Sequence, residues 1–197
     1  MRYNDEYKSQ ARAKLVESTG QHAKQHGFNS SGMADLAAAA GVTTGSLYKH
    51  FSGKSDLFIA LITAELKRTA DLYKNIDASD DAQVTRVLRG YLSMSHVQHP
   101  QAGCPLPSLT PEISRADDQV KQAFDAGIEA IHGNVKDLTG NSEIAWAIIA
   151  QNVGAVMLAR AMHSEALQAD LLHAVRRGGE TLLSRNKPLH LTTPSST

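Results

Sequence analysis

Apolar positions along this chain recur three and four residues apart, and few segments alternate. Met33, Leu36, Ala37 and Ala40 form one such set, and Leu57, Phe58, Leu61, Ile62, Leu66 and Leu72 another. Val84, Val87, Leu88, Tyr91 and Met94 with Ser95 mark a third face. A fourth runs through Val120, Phe124, Gly127 with Ile128, Ile131, Val135 and Leu138. β-branched residues are scattered. The pattern predicts an all-α chain of about nine helices. They fall near residues 7–26, 31–40, 43–51, 55–74, 82–98, 108–113, 116–138 and 143–162, and a last one repeats Leu167, Leu171, Leu172, Val175, Leu182 and Leu183.

The two short helices near the start carry the clearest chemistry. Ser31 is placed to cap the first, and Gly41 supplies the left-handed conformation that ends it abruptly. Val42 plugs the turn, and Thr43 or Thr44 can cap the second helix. There Leu47 and Phe51 face inward, which leaves Thr43, Thr44, Ser46, Tyr48, Lys49 and His50 facing out. Hydroxyls, a cation and an imidazole suit phosphate oxygens and base edges. Gly45 costs roughly 1 kcal/mol relative to Ala inside a helix. It makes sense where the backbone must approach something bulky. Two short helices joined by a Gly-containing turn form a helix-turn-helix, whose second helix enters the DNA major groove. An amphipathic hairpin inside an ordinary bundle would show the same spacing.

The order of residues goes further than the spacing. Gly27-Phe28, then Gly41, Val42, Gly45, Ser46, Leu47, Tyr48, His50, Phe51, Lys54 and Leu57, resembles the signature of the TetR family of bacterial transcriptional regulators. The resemblance covers about the first quarter of the chain. It implies a DNA-binding head over residues 1–53 and a ligand-sensing, dimerising body over residues 54–186. It also implies a homodimer on a near-palindromic double-stranded DNA operator, and release by a small-molecule inducer. The DNA-contacting residues so implied are Ser31, Thr43, Thr44, Gly45, Ser46, Tyr48, Lys49, His50 and Lys54. One departure from the family is Gly20, His22 and Ala23, where a more apolar stripe is usual. A looser head core is expected, with Phe28 as its main aromatic.

Charge alone would not reveal such a function. The formal net charge is zero. Residues 1–57 carry seven Lys/Arg against five acids, so the head is +2 and the remainder −2. The asymmetry has the right sign for a DNA binder but is small. The N-terminus lacks the apolar core of a signal peptide, no membrane partner is expected, and the single Cys104 fits the reducing cytoplasm. No acid, base and nucleophile converge in the pattern, so no enzyme is expected, nor a cofactor. His22 with His26, and His96 and His99 with Cys104, have metal-ligand spacing but no further ligand, so no metal is expected.

In the body, the 143–162 segment is apolar nearly all round and should be buried on more than one side. With the last helix it suggests a four-helix bundle across a two-fold axis. Candidate ligand-contacting residues are Tyr91, Met94, Ser95, Cys104, Phe124, Ile128, Trp146 and Val153. Tyr91 serves equally well as a plain core tyrosine. Cys104, in a Pro-rich loop with Arg115 or Arg160 as a possible neighbouring charge, is either a reactive sensor or apolar filler beside the pocket. Residues 187–197 are expected to be a disordered tail. The inducer itself is not legible.

Overall fold

In the computed structural model, which describes residues 2–74 and 76–185, all regular structure among those residues is helical. The head consists of α1 (Arg2–His26), α2 (Met33–Ala39) and α3 (Thr44–Tyr48). The long α4 (Lys54–Lys74) leads into α5 (Asp81–Tyr91) and α6 (Met94–Gln98). A 3₁₀ turn (Pro100–Ala102) precedes α7 (Leu106–Ile113), α8 (Asp118–Thr139), α9 (Ser142–Ala161) and α10 (Glu165–Arg185). The expected tail, 187–197, lies outside the described residues.

Local chemistry accounts for most boundaries. Asp80, Ser93, Asp117 and Asn141 each accept a backbone amide from the first turn of the helix that follows. Gly140 closes α8 in the left-handed region at φ 67°. The all-α expectation holds, with one refinement. The single helix predicted over 82–98 is broken, because Leu92 leaves helical geometry and Ser93 caps a new start by accepting the His96 amide. The His96 ring takes the Tyr91 carbonyl that the break strands, at 2.7 Å.

One core runs through both head and body. Its head end is the stacked pair Phe28 and Phe58, with ring centroids 4.1 Å apart. α4 is its spine, packed along α8 on one side and against α1 on the other. Leu72, read as part of the α4 stripe, is instead 62% exposed. By length and composition α9 could cross a membrane. Here it packs against α7, α8 and α10 and buries Ala145, Ile148, Asn152, Ala155, Val156 and Ala159. Its other face stays open, and Trp146 and Leu158 are 44% and 56% exposed.

Candidate DNA interface and effector cavity

The head presents α3 outward. Gly41 sits at φ +69°, the left-handed turn that lets α2 stop and α3 begin. Thr43 is the N-cap, and its hydroxyl accepts the Ser46 amide at 3.2 Å. Leu47 and Phe51 are buried, while Thr43, Gly45, Tyr48 and Lys49 are exposed and Thr44, Ser46 and His50 half-exposed. A Cβ on Gly45 would meet nothing closer than Thr43 Oγ1 at 3.9 Å, so no neighbour within the fold requires glycine there.

Two of the expected DNA-facing residues are engaged elsewhere. Ser31 is 5% exposed and is not the cap of α2; Gly32 is, with Asp35 accepting its amide. The Ser31 hydroxyl is within hydrogen-bond distance of His22 Nε2, at 3.0 Å, and of the Gly27 carbonyl, at 2.8 Å. The reason is the tight turn after α1, which swings Ser31 inward. Lys54 is half-exposed, donates to the Asn29 carbonyl at 3.1 Å and lies over the Phe28 ring. Arg12, which no spacing singled out, reaches the same end of the head and sits over the Phe51 ring at 4.6 Å.

Between head and body lies a polar joint. Lys24, on the inner side of α1, is almost fully buried; its ammonium meets Glu65 of α4 at 2.8 Å and the Gly103 carbonyl at 3.0 Å. Arg68 joins from the rim, with Glu65 at 2.7 Å and the same carbonyl at 3.0 Å. Burial pulls the Lys24 pKa down, against the raising effect of its Glu65 partner. On the opposite side of the head, Glu112 of α7 accepts the Phe28 and Asn29 amides at 3.0 and 2.6 Å. Ser55 donates to Asp117 at 2.7 Å.

Immediately beyond Gly103 is a cavity of about 380 Å³ between α4, α5, α6 and the 3₁₀ turn. Arg68, Thr69, Leu72 and Tyr73 come from α4, Val87 and Tyr91 from α5, and His96 and Cys104 close the floor. A cleft of about 10 Å³, enough for one water, adjoins it behind Thr69, Tyr73 and Tyr91 and is lined by Asn152 and Val153. Of the expected ligand residues, Tyr91, Ser95, Cys104 and Val153 line these two spaces. Met94, Phe124, Ile128 and Trp146 do not. Met94 turns to a separate cluster with Leu92, Val97 and Leu172, because the break at Leu92 resets the helical face. Phe124 and Ile128 pack on the main core, and Trp146 stacks on His132 at 4.2 Å at the surface. Thr69, Tyr73, His96 and Asn152 were missed, as nothing in their spacing distinguishes them from core or surface residues.

The polar groups of the cavity fall into two kinds. His96 is fully engaged: Nδ1 is 2.7 Å from the Tyr91 carbonyl, and Nε2 accepts the Cys104 amide at 3.1 Å. Those partners assign the neutral ring protonated on Nδ1. Burial lowers its pKa, the Tyr91 carbonyl opposes that, and Arg160 and Lys24 add to it. The Cys104 thiol is buried, with Thr69 Oγ1 3.7 Å away, and burial raises its pKa despite the hydrogen-bonding groups and Lys24 around it. Tyr91 Oη, by contrast, is buried without a hydrogen-bond partner. Burial, and after it the neighbouring Cys104 thiol, hold the Tyr91 phenol well above its usual pKa. Asn152, 4% exposed, likewise forms no side-chain hydrogen bond to the described residues.

Comparison with known proteins places this geometry. Residues 16–61 match the family model described as bacterial regulatory proteins, tetR family. Over 81 residues, 41% of this chain, the sequence is 32% identical to the HTH-type transcriptional regulator TtgR of Pseudomonas putida. The match spans 38% of that relative's length. A TetR-family regulator from Cytophaga hutchinsonii superposes with a TM-score of 0.73 at 21% identity, covering 91% of this chain and 96% of its own. The regulatory protein TetR from Rhodobacter sphaeroides gives 0.72 at 23%, covering 88% and 97%. The head, residues 16–61, thus fits the TetR-family model, and the chain as a whole shares its fold end to end with solved regulators of that family.

Proposed function

We propose that the protein is a ligand-responsive transcriptional repressor that binds a near-palindromic operator as a homodimer. A small molecule in the body cavity, or modification of Cys104, releases it. The observation that carries the reading is the surface of α3. Thr43, Gly45, Tyr48 and Lys49 stand exposed, and among the described residues the Tyr48 and Lys49 side chains hold no hydrogen bond, while the Thr43 hydroxyl is used only in its cap. Thr43, Thr44, Ser46 and Lys49 are suited to bases and flanking phosphate, and Tyr48 and His50 to phosphate. The open apolar face of α9, continued on α10 by exposed Leu167, supports the dimer. Two heads so joined would set their α3 helices roughly 34–36 Å apart, in successive major grooves.

The release route follows from α4. Its first residue, Lys54, touches the head, and its Thr69 and Tyr73 line the cavity. Tilting α4 around a bound molecule would change the spacing of the heads. Of the two release routes the fold favours the ligand, because Cys104 is buried and its thiol is held protonated.

Selection of bound fragments from random DNA tests the reading. One enriched palindrome is expected; a folded dimer that enriches nothing would make the protein an adaptor instead. Tyr48→Ala and Lys49→Ala should each weaken operator binding by about 1 kcal/mol or more in gel shifts. Lys54→Ala should also weaken it, partly through the lost Asn29 tie.

A further inference from the structure

We infer that the body cavity is built for a weak organic acid, a mainly apolar small molecule whose single anionic oxygen group accepts a hydrogen bond from Tyr91 Oη. This rests on reading the cavity as the effector site, and names the chemistry of what enters it.

Tyr91 Oη is a buried donor without a hydrogen-bond partner among the described residues. A buried hydroxyl left unpaired is costly, and an occupant bearing an acceptor removes that cost. Tyr91 lines both the cavity and the water-sized cleft, and Asn152 lines the cleft as a second polar side chain. The occupant therefore needs an acceptor at this one spot.

The sign of the charge follows from the groups around Gly103. Among the described residues no carboxylate lines the cavity. Lys24 and Arg68 share one carboxylate, Glu65, while both donate to the Gly103 carbonyl. Arg160 approaches from α9 and is held by neutral acceptors only: the Val97 and His96 carbonyls and the Ser108 hydroxyl. Three cations thus surround the floor against one carboxylate. In a partly buried setting that excess attracts an anion and repels an ammonium. The cavity's size and its Leu72, Val87 and Tyr73 walls suit an apolar body with one such group, since they offer no partners for a second charge.

A matched series reads the inference directly: 2-naphthoate, 2-acetonaphthone, 2-naphthylmethylammonium and 2-methylnaphthalene, titrated calorimetrically into the full chain. Naphthoate should bind tightest and the ammonium weakest. Tyr91→Phe should weaken naphthoate about ten-fold while leaving methylnaphthalene unchanged, which also shows that the variant keeps its cavity. The inference is overturned if the ketone or the ammonium matches naphthoate, if Tyr91→Phe binds naphthoate as well as the parent, or if no member binds. DNA selection needs no ligand, so the two readings fail separately. An enriched palindrome without naphthoate preference removes only the acid. Naphthoate preference with no enriched DNA removes the repressor and leaves the site.

Discussion

The joint around Lys24 and the wall around Tyr91 are close in space and opposite in character. At the joint, a buried ammonium, a carboxylate and a guanidinium satisfy one another and a backbone carbonyl. On the wall, a buried phenol satisfies nothing. Both are polar islands in an apolar surround. The contrast teaches that burial of a polar group does not by itself mark function. A closed set of partners holds two elements together, whereas an open valence waits for something from outside. Lys24 would be a poor choice of ligand residue, and Tyr91 a good one, though Lys24 is the more charged.

Breaking the closed set should have the largest effect. Glu65→Gln leaves the Lys24 ammonium buried without its counter-charge and should cost about 3–5 kcal/mol in urea unfolding. The double variant Lys24→Met, Glu65→Leu should recover most of that loss. If it is as unstable as the single variant, the joint is not held by charge. Next comes the backbone both regions share. A methyl on Gly103 would overlap the His96 ring, so Gly103→Ala should cost about 1–3 kcal/mol and loosen the cavity floor.

Acid should act in the same corner, more gently. The folded state holds His96 neutral with its pKa below the ordinary 6.5, so the unfolded chain takes up the proton first. The His96 contribution is complete above pH 6.5 and is lost as pH falls from there through the folded value. Tm should therefore drop between pH 7 and pH 5, and His96→Gln, less stable throughout, should show a shallower drop. The smallest effect belongs to the open valence. Tyr91→Phe removes a buried hydroxyl that lacks a partner and should therefore stabilise the chain slightly, by about 1 kcal/mol. A loss of several kcal/mol would mean that the phenol is as closed a group as Glu65, and the comparison would fall.

How much of this could be read from residues alone follows the range over which each feature is encoded. The head was legible because its signal is local. Gly41, Thr43, Leu47 and Phe51 set a turn, a cap and an inward face within about three helical turns. Ser31 misled for a local reason too, since it satisfies cap chemistry but is used one turn earlier, against His22 and Gly27. In the body, Tyr91 and Ser95 came from reading a face, but Met94 went with them because the break at Leu92 was not seen. Its cause, a serine cap reinforced by a histidine ring, lies within residues 91–96 and resembles ordinary helix. Lys24 was out of reach, because a lone lysine reads as solvated and its partner lies 41 residues on. Trp146, expected among the ligand residues, lies outside in the single chain, on the open α9 face.

Glu112 has a consequence for observation rather than for stability. Its two oxygens hold the amides of Phe28 and Asn29, so a carboxylate from the body sets the chemical environment of two amides in the turn between α1 and α2. Amide protons bonded to a carboxylate resonate downfield, which makes this pair a built-in gauge in NMR spectra. Glu112 stands on the helix that begins two residues after Cys104, at the floor of the cavity. A change felt by that floor should register at Phe28 and Asn29 in free protein, with no DNA in the tube. The conversation between the two halves of the molecule can thus be overheard at two hydrogen atoms.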